Sequence, residues 1–250
     1  GLSAAYSYPG TPASEIMEFL AGLAEKDGGF QATWSVNEKV AYEEALGASF
    51  AGRRALVSFK HVGLNVAADS FMTASYSGVG GCFVVVSCDD PGMHSSQNEQ
   101  DNRLYARFAG IPMLEPADSA EAKTFTEAAF DLSEEFDTPV LVRTTTRVNH
   151  GSGVVQIGAR RPHPPRGFRR DPAKYVMLPA YARPRHPILL ARLARLAEAA
   201  DASPLNSSEL RDRRLGVITS GMAFQYVREV LPEASVLKLG FSYPLPMGRI

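Results

Sequence analysis

Short apolar runs of four to six residues constrain the fold of this chain more than any other feature. They alternate with longer stretches in which apolar residues recur at helical spacing. This alternation is typical of a parallel sheet with helices on both faces. We therefore predict an α/β fold with a doubly wound, mostly parallel sheet. The runs cover residues 4–8, 55–59, 82–87, 111–114 and 140–144, with a weaker candidate at 31–36.

The composition excludes several classes of protein. Of the 250 residues, 45% are hydrophobic and 21% charged, as in globular proteins, and the net charge of −1 argues against a polyanionic partner. Because the chain has no long apolar run and no signal-like start, we expect neither a membrane span nor a signal peptide. Cys82 and Cys88 are the only cysteines and flank an apolar run. We interpret them as buried thiols of a reduced, cytoplasmic protein, too few to ligate an iron–sulfur cluster.

The character of the sequence changes after residue 153. A stretch rich in proline and basic residues, 159–187, predicts a linker, and a helix is expected over 187–200. A strand, a helix and another strand then begin a second α/β unit. The chain starts without Met and stops without a terminal element, so we expect a fragment of a longer protein. The predicted domains are a first domain at 1–153, a linker with a helix at 154–213, and an incomplete second domain at 214–250.

The basic residues of the stretch 159–187, Arg160 among them, have two interpretations. They could bind nucleic acid or a cofactor phosphate, or they could belong to a solvated connector or face an acidic neighbour. Aromatic residues for base stacking are few in this stretch. We therefore expect no nucleic-acid partner.

Candidate site residues lie where predicted strands end. Glu38 starts a predicted helix rich in small residues, and Lys60 and His61 follow the run 55–59. Parallel sheets bind ligands at this carboxyl edge. A carboxylate in the first turn of a helix also interacts favourably with the helix macrodipole. Glu38 taken by itself could therefore have a structural role only. Thr11 has two compatible interpretations, a helix N-cap and a hydroxyl aimed at a substrate.

An acidic segment, residues 89–101, follows another predicted strand. Asp89 and Asp90 could bind a metal ion. We expect instead a loop on the substrate side or at an interface, and we predict no metal ligand in this chain.

Four sequence blocks together resemble the α subunits of the indolepyruvate:ferredoxin oxidoreductase family, which use thiamine diphosphate. The resemblance covers nearly the whole chain. It implies that the first domain binds the aminopyrimidine of the cofactor and that the second resembles the carboxyl-terminal domain of transketolase. The blocks are residues 8–16, 37–41, 60–69 and 89–101.

The resemblance also implies roles for single residues. Glu38 would lie beside N1′ of the aminopyrimidine and favour the imino tautomer that removes the thiazolium proton, a catalytic and cofactor-binding role. Gly63 would contact the cofactor. His61 would be catalytic and bind substrate, together with Thr11 and Lys60.

The chain departs from the wider family in two respects. It lacks the signature that holds Mg²⁺ and diphosphate, and it has no arginine at 87–89, where pyruvate-specific relatives have one for the substrate carboxylate. Lys60 or His61 is the alternative anchor, and a roomier pocket would suit an aryl 2-oxo acid such as indolepyruvate.

The resemblance implies an oligomeric assembly around this chain. We expect a separate diphosphate-binding domain, a β subunit, iron–sulfur clusters elsewhere, coenzyme A as co-substrate and ferredoxin as electron acceptor. The isolated chain should be inactive. Two other hypotheses stay open: a subunit of a non-oxidative thiamine diphosphate-dependent decarboxylase, and a non-catalytic α/β interaction module.

Overall fold

The computed structural model describes residues 1–159 and 161–250, so the predicted role of Arg160 lies outside the described residues. The strands are β1 (Ala4–Ser7), β2 (Gln31–Trp34), β3 (Arg54–Lys60), β4 (Cys82–Asp89), β5 (Met113–Leu114), β6 (Val140–Thr145), β7 (Ser207–Glu209), β8 (Asp212–Ser220), β9 (Ala234–Leu239) and β10 (Phe241–Tyr243). The helices are α1 (Ser14–Asp27), α2 (Glu38–Phe50), α3 (His61–Val66), α4 (Ala68–Ser77), α5 (Arg103–Ala109), α6 (Ser119–Phe136), α7 (Thr146–Asn149), α8 (Pro172–Tyr175), α9 (Pro179–Ala202) and α10 (Ala223–Val230).

The larger sheet has seven strands in the order β10-β5-β6-β4-β3-β1-β2. Every neighbouring pair is parallel except β10 with β5. This confirms the predicted α/β class with a mostly parallel sheet. Since β1 to β6 all run in one direction, their carboxyl ends share one edge of the sheet, and the polar residues that follow those strands are brought together there.

Helices cover both faces of this sheet, because side chains of a strand alternate between faces. In β4, Phe83 and Val85 join a buried cluster with α2 and α4, whereas Val84 and Val86 join a second cluster with α6 and α9. Burial of each such large apolar side chain contributes about 1.5–3 kcal/mol. The central strands are therefore a rigid support for the carboxyl edge.

A smaller sheet, in the order β7-β9-β8, follows α9. Its parallel pair β8 and β9 is connected through α10, which confirms the predicted strand–helix–strand unit. The chain then returns to the larger sheet as β10, antiparallel to β5. The boundaries of the three predicted domains stay a prediction. In the described part of the chain, no helix combines the length and apolar character that crossing a bilayer requires.

Helix α9 begins at Pro179, earlier than the predicted start at residue 187. The prediction was wrong because internal prolines usually break helices. Pro184 and Pro187 lie inside α9 on its exposed side. Residues 179–187 are thus helical rather than linker.

Basic residues of this region bind the carboxyl end of α4. The carboxyl end of a helix leaves backbone carbonyls unpaired, and cations near it also interact favourably with the helix macrodipole. The bonds stabilise the approach of α8 and α9 to the larger sheet and give two basic residues of the stretch 159–187, Lys174 and Arg185, a structural role. The donors are Lys174, Arg185 and Arg192, and the acceptors are the carbonyls of Ser75, Tyr76, Ser77 and Val79.

Candidate active site

Glu38 is the first residue of α2, directly after β2 and on the carboxyl edge of the sheet. The side chain of Asn37 caps this helix by accepting a bond of 2.9 Å from the amide of Val40. The Glu38 residue is half-buried. Its position follows from a well-capped helix start rather than from a flexible loop.

Gly63 in α3 fixes where the Glu38 side chain lies. A Cβ atom added at Gly63 would stand 2.7 Å from Glu38 Cγ and 2.9 Å from Glu38 Oε1. Such distances are far shorter than ordinary contacts of about 3.5–4.0 Å. The Glu38 carboxyl group therefore occupies the space that a side chain at position 63 would fill. The structure brings these two predicted site residues together.

His61 and Lys60 lie at the end of β3, under the segment 90–101. His61 is fully buried, and its Nε2 lies 3.1 Å from the carbonyl oxygen of Asn98. Because a carbonyl only accepts, Nε2 carries a proton in this arrangement. Nδ1 is also buried, and no residue of the described ranges bonds it. Lys60 Nζ donates to the carbonyl of Ser95 at 2.5 Å.

Thr11 is exposed and does not cap α1, contrary to one of its predicted roles. The helix begins only at Ser14, since residues 10–13 form a turn closed by the Ala13 amide on the Gly10 carbonyl. Ser14 Oγ accepts from the Gly10 amide. Thr11 meets the segment 90–101 through its carbonyl, which accepts from Ser95 Oγ at 3.4 Å. The hydroxyl of Thr11 is left without the capping role.

Asp90 holds the segment 90–101 in place. Its carboxylate accepts bonds from the Ser95 amide, the Ser96 hydroxyl and the Thr146 hydroxyl. Burial alone would raise the pKa of Asp90, but these hydrogen bonds hold the pKa well below its ordinary value. Across the described ranges, no group of three or more His, Cys, Asp or Glu side chains has the arrangement of a metal site.

A buried polar network crosses the carboxyl edge behind these residues. The side-chain amide of Asn102 donates to the His61 carbonyl at 3.0 Å and to Ser87 Oγ at 2.8 Å, while its backbone amide donates to Asp89. Arg143 donates to Asp89 at 2.7 Å and to Glu115 at 2.6 Å. Burial opposes the charge of Arg143, but the two carboxylates raise its pKa, so the guanidinium stays ionised.

This network was not predicted from the sequence. The absence of an arginine at 87–89 is real, but Arg143 reaches the end of β4 from the neighbouring strand β6. One signal could have revealed it: a charged residue in the apolar run 140–144, which needs a buried partner. Asp89, at the end of the adjacent predicted strand, was the available acid.

The residues around Glu38 fit the aminopyrimidine half of thiamine diphosphate. A half-buried glutamate stands at a ligand-binding edge, and the absence of a side chain at Gly63 accommodates its carboxyl group. Tyr8 and Val36, which are 38% and 79% exposed, add apolar surface after β1 and β2. A flat heterocycle needs such an acceptor together with apolar surface for its ring.

Comparison with known proteins identifies the family of this chain. The family model described as pyruvate flavodoxin/ferredoxin oxidoreductase, thiamine diphosphate-binding, matches residues 1–199. The chain is 50% identical, over its whole length, to the indolepyruvate oxidoreductase subunit IorA of Methanothermobacter thermautotrophicus and 46% identical, over 98% of its length, to that of Pyrococcus horikoshii. It spans 41% and 39% of the length of these relatives.

A solved structure shares the fold. The 2-oxoglutarate:ferredoxin oxidoreductase from Magnetococcus marinus, solved with 2-oxoglutarate, coenzyme A and succinyl-CoA bound, superimposes with a TM-score of 0.74. The match covers all of this chain and 52% of that one, at 18% identity. At this identity the likeness supports the fold alone.

Proposed function

The chain belongs to the pyruvate flavodoxin/ferredoxin oxidoreductase family of thiamine diphosphate-binding proteins, and from this we propose that it supplies the aminopyrimidine-binding half of a 2-oxo acid oxidoreductase site. The proposed reaction is the oxidative decarboxylation of an aryl 2-oxo acid such as indolepyruvate. Coenzyme A takes the acyl group, and ferredoxin accepts the electrons. The names of the curated relatives support the choice of substrate.

The contact between Glu38 and Gly63 is the observation that carries this proposal. Thiamine diphosphate, when bound, supplies the acidic carbon and the electron sink that decarboxylation of a 2-oxo acid requires. Glu38 would accept a hydrogen bond from the ring nitrogen of the aminopyrimidine, and Gly63 would contact the cofactor. Glu38 lies at a capped helix start and Gly63 is buried in α3. The Glu38 carboxylate therefore needs little reorganisation when the cofactor binds.

Three further residues are proposed to act on the substrate. Thr11 presents an exposed hydroxyl, and Lys60 presents an ammonium group that could hold a carboxylate beside the segment 90–101. His61 would bind substrate and take part in catalysis by holding or moving a proton. Since Nε2 is engaged by the Asn98 carbonyl, Nδ1 is the atom that would accept that proton.

The remaining parts of the enzyme would come from other polypeptide segments. We propose that a separate domain holds the diphosphate and Mg²⁺, and that a β subunit and iron–sulfur clusters complete an oligomeric, cytoplasmic assembly. The 250-residue chain by itself would then be inactive, because it has only one half of the cofactor site.

The test compares Glu38→Gln with wild type in the complete enzyme. Positioned proton transfer contributes about 10²–10⁴-fold to rates, so reduction of viologen dye by the 2-oxo acid should fall by about that factor. Glu18→Gln, at an exposed glutamate of α1, is the matched control and should keep wild-type activity. Near-normal turnover of Glu38→Gln would remove the proposal. Release of aldehyde without dye reduction by the wild type would replace it with a non-oxidative decarboxylase.

A further inference from the structure

A cavity lies between the two sheets. Its volume is about 350 Å³, enough for a small organic molecule. One wall follows β5 and β6 of the larger sheet, and the other is the turn Ser220–Ala223 with Tyr226, where β8 leads into α10. The carboxyl ends of strands from both sheets therefore face this cavity, as they do in ligand sites of open α/β sheets.

Cationic side chains dominate the charged lining. Arg143 is only 9% exposed, and its Nε and Nη1 donate to Asp89 and Glu115, while its Nη2 lies 3.7 Å from Asp101 Oδ1 and makes no hydrogen bond to a described residue. Nη2 is therefore left for a further acceptor. Arg147 follows β6 on the same wall, and within the described residues no ion pair involves it.

The acidic groups near the cavity are already paired. Glu115 and Asp89 accept from Arg143, and Asp101 accepts from Arg103. A ligand would consequently meet the unpaired charge of Arg147 rather than a free carboxylate. An anionic group would gain charge-assisted hydrogen bonds there, whereas a cation would be repelled.

The start of α10 reinforces this preference. The helix begins at Ala223 after Met222, and no side chain caps its first turn. Gly221 has a φ of +54°, which turns the chain out of β8 at the cavity. Uncapped amides at a helix start carry partial positive charge and favour an anion.

The rest of the lining is apolar. Pro91, Pro116 and Met222 contribute aliphatic surface, and Tyr226 contributes a ring that is 53% exposed. We propose that this cavity binds a small amphipathic anion, with its carboxylate or phosphate at Arg147 and Arg143 and its apolar body against Tyr226. The proposal is independent of the function assigned to Glu38, since none of Thr11, Glu38, Lys60, His61 and Gly63 lines the cavity.

The segment 90–101 separates the cavity from the residues around His61. Pro91 and His94 line the cavity, whereas the carbonyls of Ser95 and Asn98 accept from Lys60 and His61. A ligand in the cavity would therefore contact the same segment that holds these two proposed site residues.

The experiment is calorimetric titration of the full-length protein with phenylacetate, phenyl phosphate and the neutral benzyl alcohol. We expect at least one anion to bind with a Kd of about 1 mM or tighter and the alcohol not to bind. The tighter anion identifies the head group. Equal binding of the alcohol, or binding of neither anion, overturns the proposal.

Variants locate the binding. Arg147→Gln should weaken binding of the anion about tenfold, because a charge-assisted hydrogen bond is lost. Arg213→Gln, at an exposed arginine of β8, should leave the affinity unchanged. Both positions are on the surface, so folding should persist, which thermal unfolding checks. Glu38→Gln should also leave the affinity unchanged. An unaltered affinity in Arg147→Gln, or a lost one in Glu38→Gln, overturns the assignment to this cavity.

Discussion

Gly63→Ala tests the proposed geometry without touching a charged group. Glu38 Cγ lies 2.7 Å from the position that the new Cβ would take, and Glu38 Oε1 lies 2.9 Å from it. Ordinary carbon contacts are about 3.5–4.0 Å long, so the Glu38 side chain must move by roughly 1 Å. A misplacement of about 1 Å at a reacting group can reduce turnover about 100-fold.

The same substitution should hardly change stability. Alanine in a helix is favoured over glycine by up to about 1 kcal/mol. Moving a half-exposed glutamate off its preferred rotamer costs about 0.5–1.5 kcal/mol. We therefore expect the free energy of unfolding of Gly63→Ala to stay within about 1 kcal/mol of wild type.

The assay measures viologen reduction by the complete enzyme over a series of 2-oxo acid and thiamine diphosphate concentrations, with urea unfolding of the same samples. Gly22→Ala in α1 is the control, because an added Cβ there meets no atom within 4 Å. It should keep full activity. Normal turnover in Gly63→Ala, or its failure to fold, would refute the reasoning, since only the Glu38 side chain is expected to yield.

Three further predictions concern the support of the site. Hydrogen bonds depress the pKa of Asp90 in the folded state. Its stabilising contribution is therefore present at pH values above its ordinary pKa of about 4 and is lost as the pH falls through the folded pKa. Urea unfolding at several pH values should show wild type losing more stability in acid than Asp90→Asn. Burial raises the pKa of Cys88 to about 12 and also raises that of Cys82, so mass spectrometry should find neither alkylated by iodoacetamide until urea is added. Asn102→Ala should lower the free energy of unfolding by about 3 kcal/mol, because it leaves the His61 carbonyl without its buried donor; an unchanged urea midpoint would contradict this.

Most of the larger sheet could be predicted because its signals are local. The apolar runs gave β1, β3, β4 and β6 within two residues of their observed ends. Strand β10 could not be found in this way, since its three residues pair with β5, far away in the chain. The first turns of α9 were missed because their prolines argue against a helix, while the contacts of Arg185 with the end of α4 are long-range.

The candidate site divides in the same way. Glu38, Lys60, His61 and Gly63 lie in short contiguous blocks, so the sequence alone could single them out. The charge of Arg143 within the apolar run 140–144 indicates a buried partner, but the register of β4 and β6 is needed to identify that partner as Asp89, 54 positions away. The cavity beside Arg147 depends on how the second sheet packs against the first, which no local pattern encodes.

The central claim is that the Glu38 carboxylate activates the bound cofactor, and proton exchange measures this directly. Deuterium exchange at C2 of thiamine diphosphate on the complete enzyme, followed by NMR after rapid acid quench, should be slowed about 10²–10⁴-fold in Glu38→Gln. Exchange at the wild-type rate in a Glu38→Gln enzyme saturated with cofactor would contradict the account.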